Sequence, residues 1–358
     1  MKVVVACGGT GGHAFPGLAI AEALAARGHE VTIWDSGRAI ESPVLARWTG
    51  PRFSTYAKTL SLRHAFALVR SLWRCRREMK RQKPDVLVAM GSYSSLPPVL
   101  AAKSCGVRIV LHEANTVPGK AIDYLSKFAD IVAISFAATA RYLPHARTVL
   151  TGLPVRREIA EGTRFGFIPS NAFVLFVTGG SQGAHAVNEL ASEAVVEMKA
   201  RLDERAKAGE AVRPLYVIHQ TGAADEGRVL ARYLDMGIPS RVHAFEREMA
   251  STFASADFVI ARAGASTCFE LAACAKAVLF IPLPSAMRDH QHFNAEAFAA
   301  LGAADEGVQS KLDAHALAQY LLSRYDHPER IRAMAEKIAT LATRDAAVRV
   351  AELVEEKK

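Results

Sequence analysis

At two points in the sequence, a strand-like apolar run leads into a glycine-rich loop and then into a helical pattern. The first unit opens at residues 1–6 and the second at residues 173–177, and the two loops contain Gly8, Gly9, Gly11 and Gly12, and Gly179, Gly180 and Gly183. Further strand-length apolar runs alternate with helical patterns along the chain, which is typical of parallel sheets covered by helices. Because the whole unit recurs within 358 residues, the sequence predicts two α/β domains.

Composition excludes several classes of protein. Five cysteines, an odd number without a CxxC pair, argue for reduced thiols in a cytosol and against a disulfide scaffold or zinc site. The first strand is too short for a signal peptide, and no apolar run is long enough to span a bilayer. The net charge of +8 indicates an anionic partner, which could be nucleic acid, a phosphorylated substrate or a lipid surface.

The most specific candidate site lies in residues 261–270. Gly264 follows an apolar run, and Ser266 and Thr267 stand where they could cap the helix that comes next. The unpaired N–H groups of a helix start can bind a phosphate, and Glu270, one turn later, could accept hydrogen bonds from a sugar. The pattern indicates a site for a nucleotide that carries ribose, although a capped helix with a solvated glutamate fits these residues as well.

In the first half, polar residues also follow predicted strands. Gly9, Gly11 and Ala14 have the spacing of a dinucleotide-binding loop, and Asp35 closes the second strand. A dehydrogenase, however, normally has one such loop and a dissimilar catalytic half, so the duplication favours a two-domain nucleotide-sugar glycosyltransferase. Substrate is expected at the carboxyl ends of the strands, near residues 91–95, His112, Glu113 and Asn115.

Residues 62–83 are predicted to form a basic helix. One side is apolar, with Leu62, Phe66, Val69 and Trp73, and the basic residues are Arg63, Arg70, Arg74, Arg76, Arg77, Lys80, Arg81 and Lys83. This pattern fits either a solvated face or contact with anionic lipid headgroups. Nucleic acid is a weaker candidate, because the stretch has little aromatic interleaving and no recognisable binding module.

Together these motifs resemble the MurG-type N-acetylglucosaminyltransferases of bacterial peptidoglycan synthesis. The matching segments are residues 8–13 with Pro16, 112–115, 152–156, 179–184, 262–267 with Glu270, and Gln291 with Asn294 and Ala295. The chain departs from the family at Ala114 and Leu153, where Gln and Asn are usual. It also departs at Ser92, because the family's Gly-Gly-Tyr loop is Gly-Ser-Tyr at residues 91–93. These departures concern recognition of the acceptor more than the donor site.

The resemblance implies two Rossmann-like domains facing across a cleft, the GT-B type of architecture. Residues 1–156, joined by a C-terminal helix at about 341–358, would form the acceptor and membrane domain, and residues 157–340 the UDP-sugar domain. The implied enzyme transfers N-acetylglucosamine, with inversion, from UDP-N-acetylglucosamine to undecaprenyl-pyrophosphoryl-muramyl-pentapeptide. It would be peripheral at the cytoplasmic face of the bacterial membrane, bind anionic lipid and no nucleic acid, and use no cofactor. No acidic DxD pair lies near these loops, so we expect no obligatory metal.

The resemblance also implies roles for individual residues. Within the donor site, Glu270 would bind the ribose and Gln291 the sugar hydroxyls. The other residues that would hold the donor are Ser181, Gly264, Ala265, Ser266, Thr267 and Asn294. Arg156 would contact the donor phosphates, and the opposing wall would consist of Thr10, Gly11, Gly12 and Asn115.

Two questions stay open at this level. His13 is the candidate base, because it ends the first glycine loop and titrates near neutrality, but it could instead contact a phosphate or a loop carbonyl. His112 and Glu113 are the alternative base or orienting pair. Other functions that fit are a different UDP-sugar enzyme of the same fold, such as a lipid glycosyltransferase or a UDP-sugar epimerase, and a catalytically silent nucleotide-sugar sensor.

Overall fold

The computed structural model of the chain describes residues 1–9, 11–38, 41–57, 65–180 and 182–356. They form two compact units, Met1–Arg156 together with Thr343–Lys358, and Arg157–Ala342. Each unit is an α/β domain built on one parallel sheet.

The first unit has seven described strands. They are β1 (Lys2–Ala6), β2 (Glu30–Asp35), β3 (Arg52–Ser54), β4 (Val86–Ala89), β5 (Arg108–Glu113), β6 (Ile131–Ile134) and β7 (Thr148–Leu150), in the sheet order β3-β2-β1-β4-β5-β6-β7. The helices between them are α1 (Gly11–Ala26), α2 (Ser42–Leu45), α3 (Ala65–Gln82), α4 (Leu96–Ser104) and α5 (Lys120–Leu125).

The second unit repeats this arrangement. Its strands are β8 (Phe173–Thr178), β9 (Leu215–Gln220), β10 (Ser240–His243), β11 (Phe258–Ala261), β12 (Val278–Phe280) and β13 (Asp305–Glu306), in the order β10-β9-β8-β11-β12-β13. Its helices are α6 (His185–Lys207), α7 (Glu226–Asp235), α8 (Met249–Ser255), α9 (Ala265–Ala273), α10 (His290–Ala299), α11 (Ala314–Asp326) and α12 (Pro328–Ala339).

The central strands explain why the apolar runs of the sequence are continuous. β4, β6, β8 and β11 are buried at every position. Parallel strands with helices on both faces have no solvent side, so their sequences do not alternate between apolar and polar residues. The prediction of two domains with parallel sheets is therefore confirmed.

The last helix, α13 (Ala346–Glu355), belongs to the first unit. Its final carbonyls accept hydrogen bonds from the guanidinium of Arg108, at 2.9 Å from Leu353 O, 3.0 Å from Val354 O and 2.5 Å from Glu356 O. A buried cation at the negative end of a helix dipole stabilises this attachment.

Several predicted boundaries were wrong. The sequence patterns missed β3 and β13, because edge strands of three and two residues are too short to show a period. The helix predicted over 62–83 is described as Ala65–Gln82, and residues 62–64 lie outside the described residues. None of the helices in the described ranges is long and apolar enough to cross a membrane.

Candidate functional site

The candidate residues gather where the strand order of each sheet reverses. In the first unit β1 lies between β2 and β4, and in the second β8 lies between β9 and β11. At such a point the loops after two adjacent strands, β1 and β4 in the first sheet and β8 and β11 in the second, turn to opposite sides of the sheet. They leave a crevice at the carboxyl edge of that sheet. Each glycine-rich loop of the sequence follows one of these strands.

The first glycine loop is held by side chains from a neighbouring loop. α1 begins at Gly11, and Thr10 lies outside the described residues. The buried carboxylate of Glu41 accepts from Gly9 N at 2.5 Å, from Ser36 N at 2.9 Å and from the Ser36 hydroxyl. At the start of α1, beyond these bonds, Gly12 is exposed and His13 is half-buried.

The loop after β4 reaches the same glycine loop from the other side. Ser94 Oγ donates to Gly8 O at 2.5 Å, and Ser92 Oγ lies 3.3 Å from the same carbonyl. Gly91 and Ser92 both have positive φ, 81° and 65°. The two loops at the reversal point of this sheet are therefore joined by side-chain hydrogen bonds.

His112 and Glu113, the last residues of β5, are both buried. His112 Nε2 lies 3.1 Å from Gly152 O, so it carries the proton, and Nδ1 is buried without a partner among the described residues. Burial lowers the pKa of His112 to about 4. The ring is neutral and fully buried.

Glu113 holds the loop that follows it. One carboxylate oxygen accepts from Asn115 N at 2.8 Å and from Asn115 Nδ2 at 3.1 Å, and the other accepts from Gly119 N at 2.9 Å. Burial raises the pKa of Glu113, and the hydrogen bonds from Asn115 and Gly119 oppose that rise. The carboxylate thereby fixes the half-buried Asn115 at the sheet edge.

His13 and Arg156 both lie at the start of α1, His13 within the helix and Arg156 packed against it. Burial lowers the pKa of His13, and a hydrogen bond with the Met90 backbone opposes the shift. The Arg156 guanidinium stacks over the ring of Phe15, 4.5 Å from its centroid, one residue along α1 from Ala14. A neutral imidazole and a cation are thus both placed beside the start of α1.

In the second unit, Gly264 is the N-cap of α9, with φ −66° and ψ 139°. The expectation that Ser266 and Thr267 cap this helix was wrong, since both lie inside its first turn. The turn does not need a glycine for its backbone, because any residue adopts this φ. Apart from its two chain neighbours, a Cβ on Gly264 would meet no atom of the described residues within 4 Å.

One residue of α10 is tied to this turn, and another is tied to the segment that leads into α10. Asn294 is fully buried and donates from Nδ2 to Ala263 O at 3.1 Å. Gln291 is half-buried at the start of α10, and its Oε1 accepts from Leu283 N at 3.0 Å. Ser266, Thr267 and Glu270 are half-buried on α9, and Ala265 is 7% exposed.

The second glycine loop is packed closely against the end of β9. Ser181 lies outside the described residues. Gly183, with φ 73°, approaches Thr221 so closely that a Cβ would lie 2.1 Å from its carbonyl oxygen. Asn188 braces that segment, donating to Thr221 O at 2.7 Å and to Asp225 Oδ2 at 2.7 Å.

Sequence reasoning missed two positioning residues. Glu41 lies near no recognised motif, and nothing in its spacing indicates that it reaches Gly9. Arg262 was quoted only as part of a motif, yet its buried guanidinium donates to Ile281 O at 2.9 Å, to Pro282 O at 2.8 Å and to Gln309 Oε1 at 2.8 Å. An arginine directly after a buried strand was the available signal for this role.

The outward face of α3 differs from the prediction. Ser71, Cys75 and Met79 pack inward, whereas the apolar side predicted to be separate from the charges is exposed. Phe66, Val69 and Trp73 are 82%, 65% and 63% exposed and share this face with Arg70, Arg77 and Lys80. We call these six residues the α3 outer face.

Not all of the helix's cations lie on it. The Arg74 guanidinium lies 4.8 Å from the Phe53 ring centroid and 5.1 Å from that of Tyr56, and its Nε donates to Ser54 O at 3.0 Å. Arg76 Nε donates to Ser104 Oγ at 3.2 Å. Both arginines are therefore committed to contacts within the first unit.

The two halves of the chain match two family descriptions. Residues 3–134 match the glycosyltransferase family 28 N-terminal domain, and residues 174–350 match the glycosyltransferase family 28 C-terminal domain. Together the two matches cover most of the chain.

Individual relatives extend over nearly the full length. The UDP-N-acetylglucosamine–N-acetylmuramyl-(pentapeptide) pyrophosphoryl-undecaprenol N-acetylglucosamine transferase of Geobacter sulfurreducens is 37% identical and covers 97% of this chain and 96% of its own. The Myxococcus xanthus protein of the same name is 35% identical, covering 99% and 92%. The crystal structure of Acinetobacter baumannii MurG superposes with a TM-score of 0.78 at 29% identity, covering 99% of both chains. A UDP-N-acetylglucosamine 2-epimerase, at 14% identity and a TM-score of 0.73, shares the fold alone. The chain, with two parallel-sheet domains of the GT-B type, therefore belongs to glycosyltransferase family 28 and, within it, to the MurG-type N-acetylglucosaminyltransferases.

Proposed function

We propose that this chain is a hexosyltransferase that moves N-acetylglucosamine from UDP-N-acetylglucosamine to the lipid-linked muramyl-pentapeptide. The observation that carries the proposal is the turn at Gly264. Neither its backbone angles nor its protein neighbours require a glycine there. A ligand that approaches the backbone at the start of α9 would explain why this position has no side chain.

The donor is assigned to the second unit. The first N–H groups of α9, with no side chain on Gly264 to cap them, would face the diphosphate, and the hydroxyls of Ser266 and Thr267 lie on the same turn. Glu270 would accept from the ribose hydroxyls, and Gln291 would contact the sugar. Asn294 is fully buried, so its proposed role is to hold the Ala263–Gly264 peptide for the donor. Ser181 stays a predicted donor contact.

The acceptor is assigned to the first unit, with His13 as the base. A base must be unprotonated at working pH and within reach of the substrate. His13 is half-buried with a lowered pKa, so it is neutral at pH 7. His112 is neutral but enclosed, and Glu113 already accepts three hydrogen bonds. We therefore assign Glu113 to the positioning of Asn115 rather than to proton transfer.

The proposed reaction is a single displacement. The acceptor hydroxyl oxygen bonds to the anomeric carbon as the bond to UDP breaks, the hydroxyl proton passes to His13, and UDP leaves with the bonding electrons, which inverts the centre. The N-terminus of α9 and Arg156 would stabilise the negative charge that develops on the departing UDP. One helix terminus contributes on the order of 0.3–2 kcal/mol, so positioning of the two substrates carries much of the barrier reduction. Because the chain has no Asp-x-Asp pair, we propose that this reaction needs no metal.

The α3 outer face is proposed as the contact with an anionic membrane surface. It combines three exposed apolar side chains with three cations, the composition of an interfacial helix. An enzyme with a lipid-linked acceptor needs such a peripheral contact, which we place at the cytoplasmic leaflet.

The test is product analysis. Purified protein, UDP-N-acetylglucosamine and lipid-linked muramyl-pentapeptide should give the disaccharide lipid and UDP in equal amounts, with and without a chelator. The anomeric configuration of the product reports inversion. Free N-acetylmannosamine or its UDP derivative as the product would indicate an epimerase, and no consumption of donor in the presence of the acceptor would exclude the proposal.

A further inference from the structure

Ser92 has a backbone conformation that side chains disfavour. Its φ of 65° and ψ of 164° lie in a region populated almost only by glycine, and the residue stands where the resembling motif has glycine. Such strain persists only where surrounding contacts hold it. The contacts of its hydroxyl show what holds it here.

The hydroxyl belongs to a small network of hydrogen bonds. Ser94 N donates to Ser92 Oγ at 3.1 Å, Ser92 Oγ and Ser94 Oγ are 2.7 Å apart, and Ser94 Oγ donates to Gly8 O at 2.5 Å. Ser92 Oγ can also donate to Gly8 O, at 3.3 Å. The two hydroxyls therefore converge on one backbone carbonyl of the first glycine loop.

The two hydroxyls meet the first glycine loop on the side opposite Glu41. A Cβ on Gly9 would lie 2.7 Å from Ser92 Oγ, so the loop backbone and the serine are in close contact. On the other side, the Glu41 carboxylate accepts from Gly9 N. The peptide that leads into α1 and His13 is therefore held between a buried carboxylate and a pair of hydroxyls.

We propose that Ser92 is a positioning residue for the acceptor. It is not a group that touches the reacting atoms. Its hydroxyl, together with that of Ser94, fixes the Gly8 carbonyl and with it the start of α1, so that the distance from His13 to the acceptor hydroxyl is held constant. The inference rests on the proposed placement of the acceptor and base in the first unit.

The test separates strain from positioning by replacing Ser92 in two ways. Ser92→Gly removes the hydroxyl and relieves the backbone, so its melting temperature should equal or exceed that of wild type. Its kcat/KM for the lipid-linked acceptor should fall at least tenfold, while the Kd for UDP-N-acetylglucosamine changes less than twofold. Hydrogen exchange of the peptide covering residues 7–13 should quicken. Ser92→Ala should show the same acceptor defect with a lower melting temperature.

Ala275→Gly is the matched control. Ala275 also has positive φ, 52°, but it lies in the second unit beyond the far end of α9, and it carries no hydroxyl. Relief of strain there should leave acceptor kinetics unchanged. Ser94→Ala removes the shorter of the two hydroxyl bonds to Gly8 O without altering a strained residue, and it should reproduce the acceptor defect.

Wild-type acceptor kinetics in Ser92→Gly would overturn the inference, and so would an equal loss of donor affinity. If that variant does not fold, Ser94→Ala decides alone, by the same two criteria. Failure of the proposed function looks different, because wild type itself would then transfer no sugar to the acceptor.

Discussion

Reversing the charges of the α3 outer face should release the protein from anionic bilayers without affecting donor binding. The variant is Arg70→Glu, Arg77→Glu and Lys80→Glu, all exposed positions on one helix face. Arg74 is left intact, because its contacts with Phe53 and Tyr56 make it part of the fold.

The size of the effect follows from charge and exposure. A basic residue near an anionic surface contributes about 1 kcal/mol, so losing three costs about 3 kcal/mol, more than a hundredfold in partitioning, before repulsion is counted. Phe66 and Trp73, at 82% and 63% exposure, offer on the order of 250 Å² of apolar surface. At about 25 cal/mol per Å², full insertion would contribute up to about 6 kcal/mol, and that part is insensitive to salt.

The assay is cosedimentation with phosphatidylglycerol vesicles at low and high salt. Wild type should bind at low salt and be released only in part at high salt. The charge variant should lose binding at low salt, and Phe66→Ser with Trp73→Ser should abolish the salt-resistant fraction. Affinity for UDP-N-acetylglucosamine should stay unchanged in both.

A control with the same change in net charge separates local from global electrostatics. Lys207→Glu, Arg330→Glu and Arg332→Glu alter exposed residues of the second unit and should keep most of the vesicle binding. If this control lost as much binding as the α3 variant, or if the α3 variant still bound like wild type, the reasoning about this face would be refuted.

Four further predictions concern the site and stability. Glu270→Ala should weaken UDP-N-acetylglucosamine binding by about 1.5–3 kcal/mol through loss of a charged hydrogen-bond acceptor, and unchanged affinity in calorimetry would remove it from the site. His13→Ala should lower kcat far more than donor affinity, and wild-type kcat should fall on acidification with an apparent pKa below 6.5; a flat pH profile would contradict its role as base. Glu41→Ala should lower the free energy of unfolding by about 3 kcal/mol in urea titrations, because three donors lose a buried carboxylate, and a loss under 1 kcal/mol would speak against that role. Burial lowers the pKa of His112 to about 4 and that of His219 to about 3, so below pH 6.5 the unfolded chain takes up protons that the folded chain does not. Urea titrations at pH 4.5 should therefore show a free energy of unfolding reduced on the order of 2–3 kcal/mol per histidine relative to pH 7. Equal urea midpoints at the two pH values would contradict this.

The sequence by itself determined the number of domains, their parallel sheets and the loops around which the site is built. These features are local in origin. A strand buried on both faces must be apolar throughout, as at residues 173–177, and a tight turn between strand and helix is marked by glycine. In the folded sheets, Gly9 and Gly180 lie in the loops that follow β1 and β8, the strands at which the strand order reverses.

Other features depend on which surfaces meet, and the sequence does not contain that information in a local form. α3 has two stripes at helical spacing, and periodicity alone does not say which one packs inward. The smaller stripe, Ser71, Cys75 and Met79, is buried, and the larger one with Phe66 and Trp73 is not.

The same limit applies to the acid–base groups and to the supports of the first glycine loop. From the sequence, His13 is the candidate base and His112 and Glu113 are the alternative pair. Burial and hydrogen bonds distinguish the half-buried imidazole of His13 from the enclosed one of His112 and from the Glu113 carboxylate, which braces a loop. Glu41 and Ser92 lie 32 and 83 residues from Gly9 in the chain, and they reach it only because β1, β2 and β4 are neighbours in the folded sheet. Contacts between residues so far apart are decided by tertiary structure, because only the assembled sheet brings the ends of those strands to one edge.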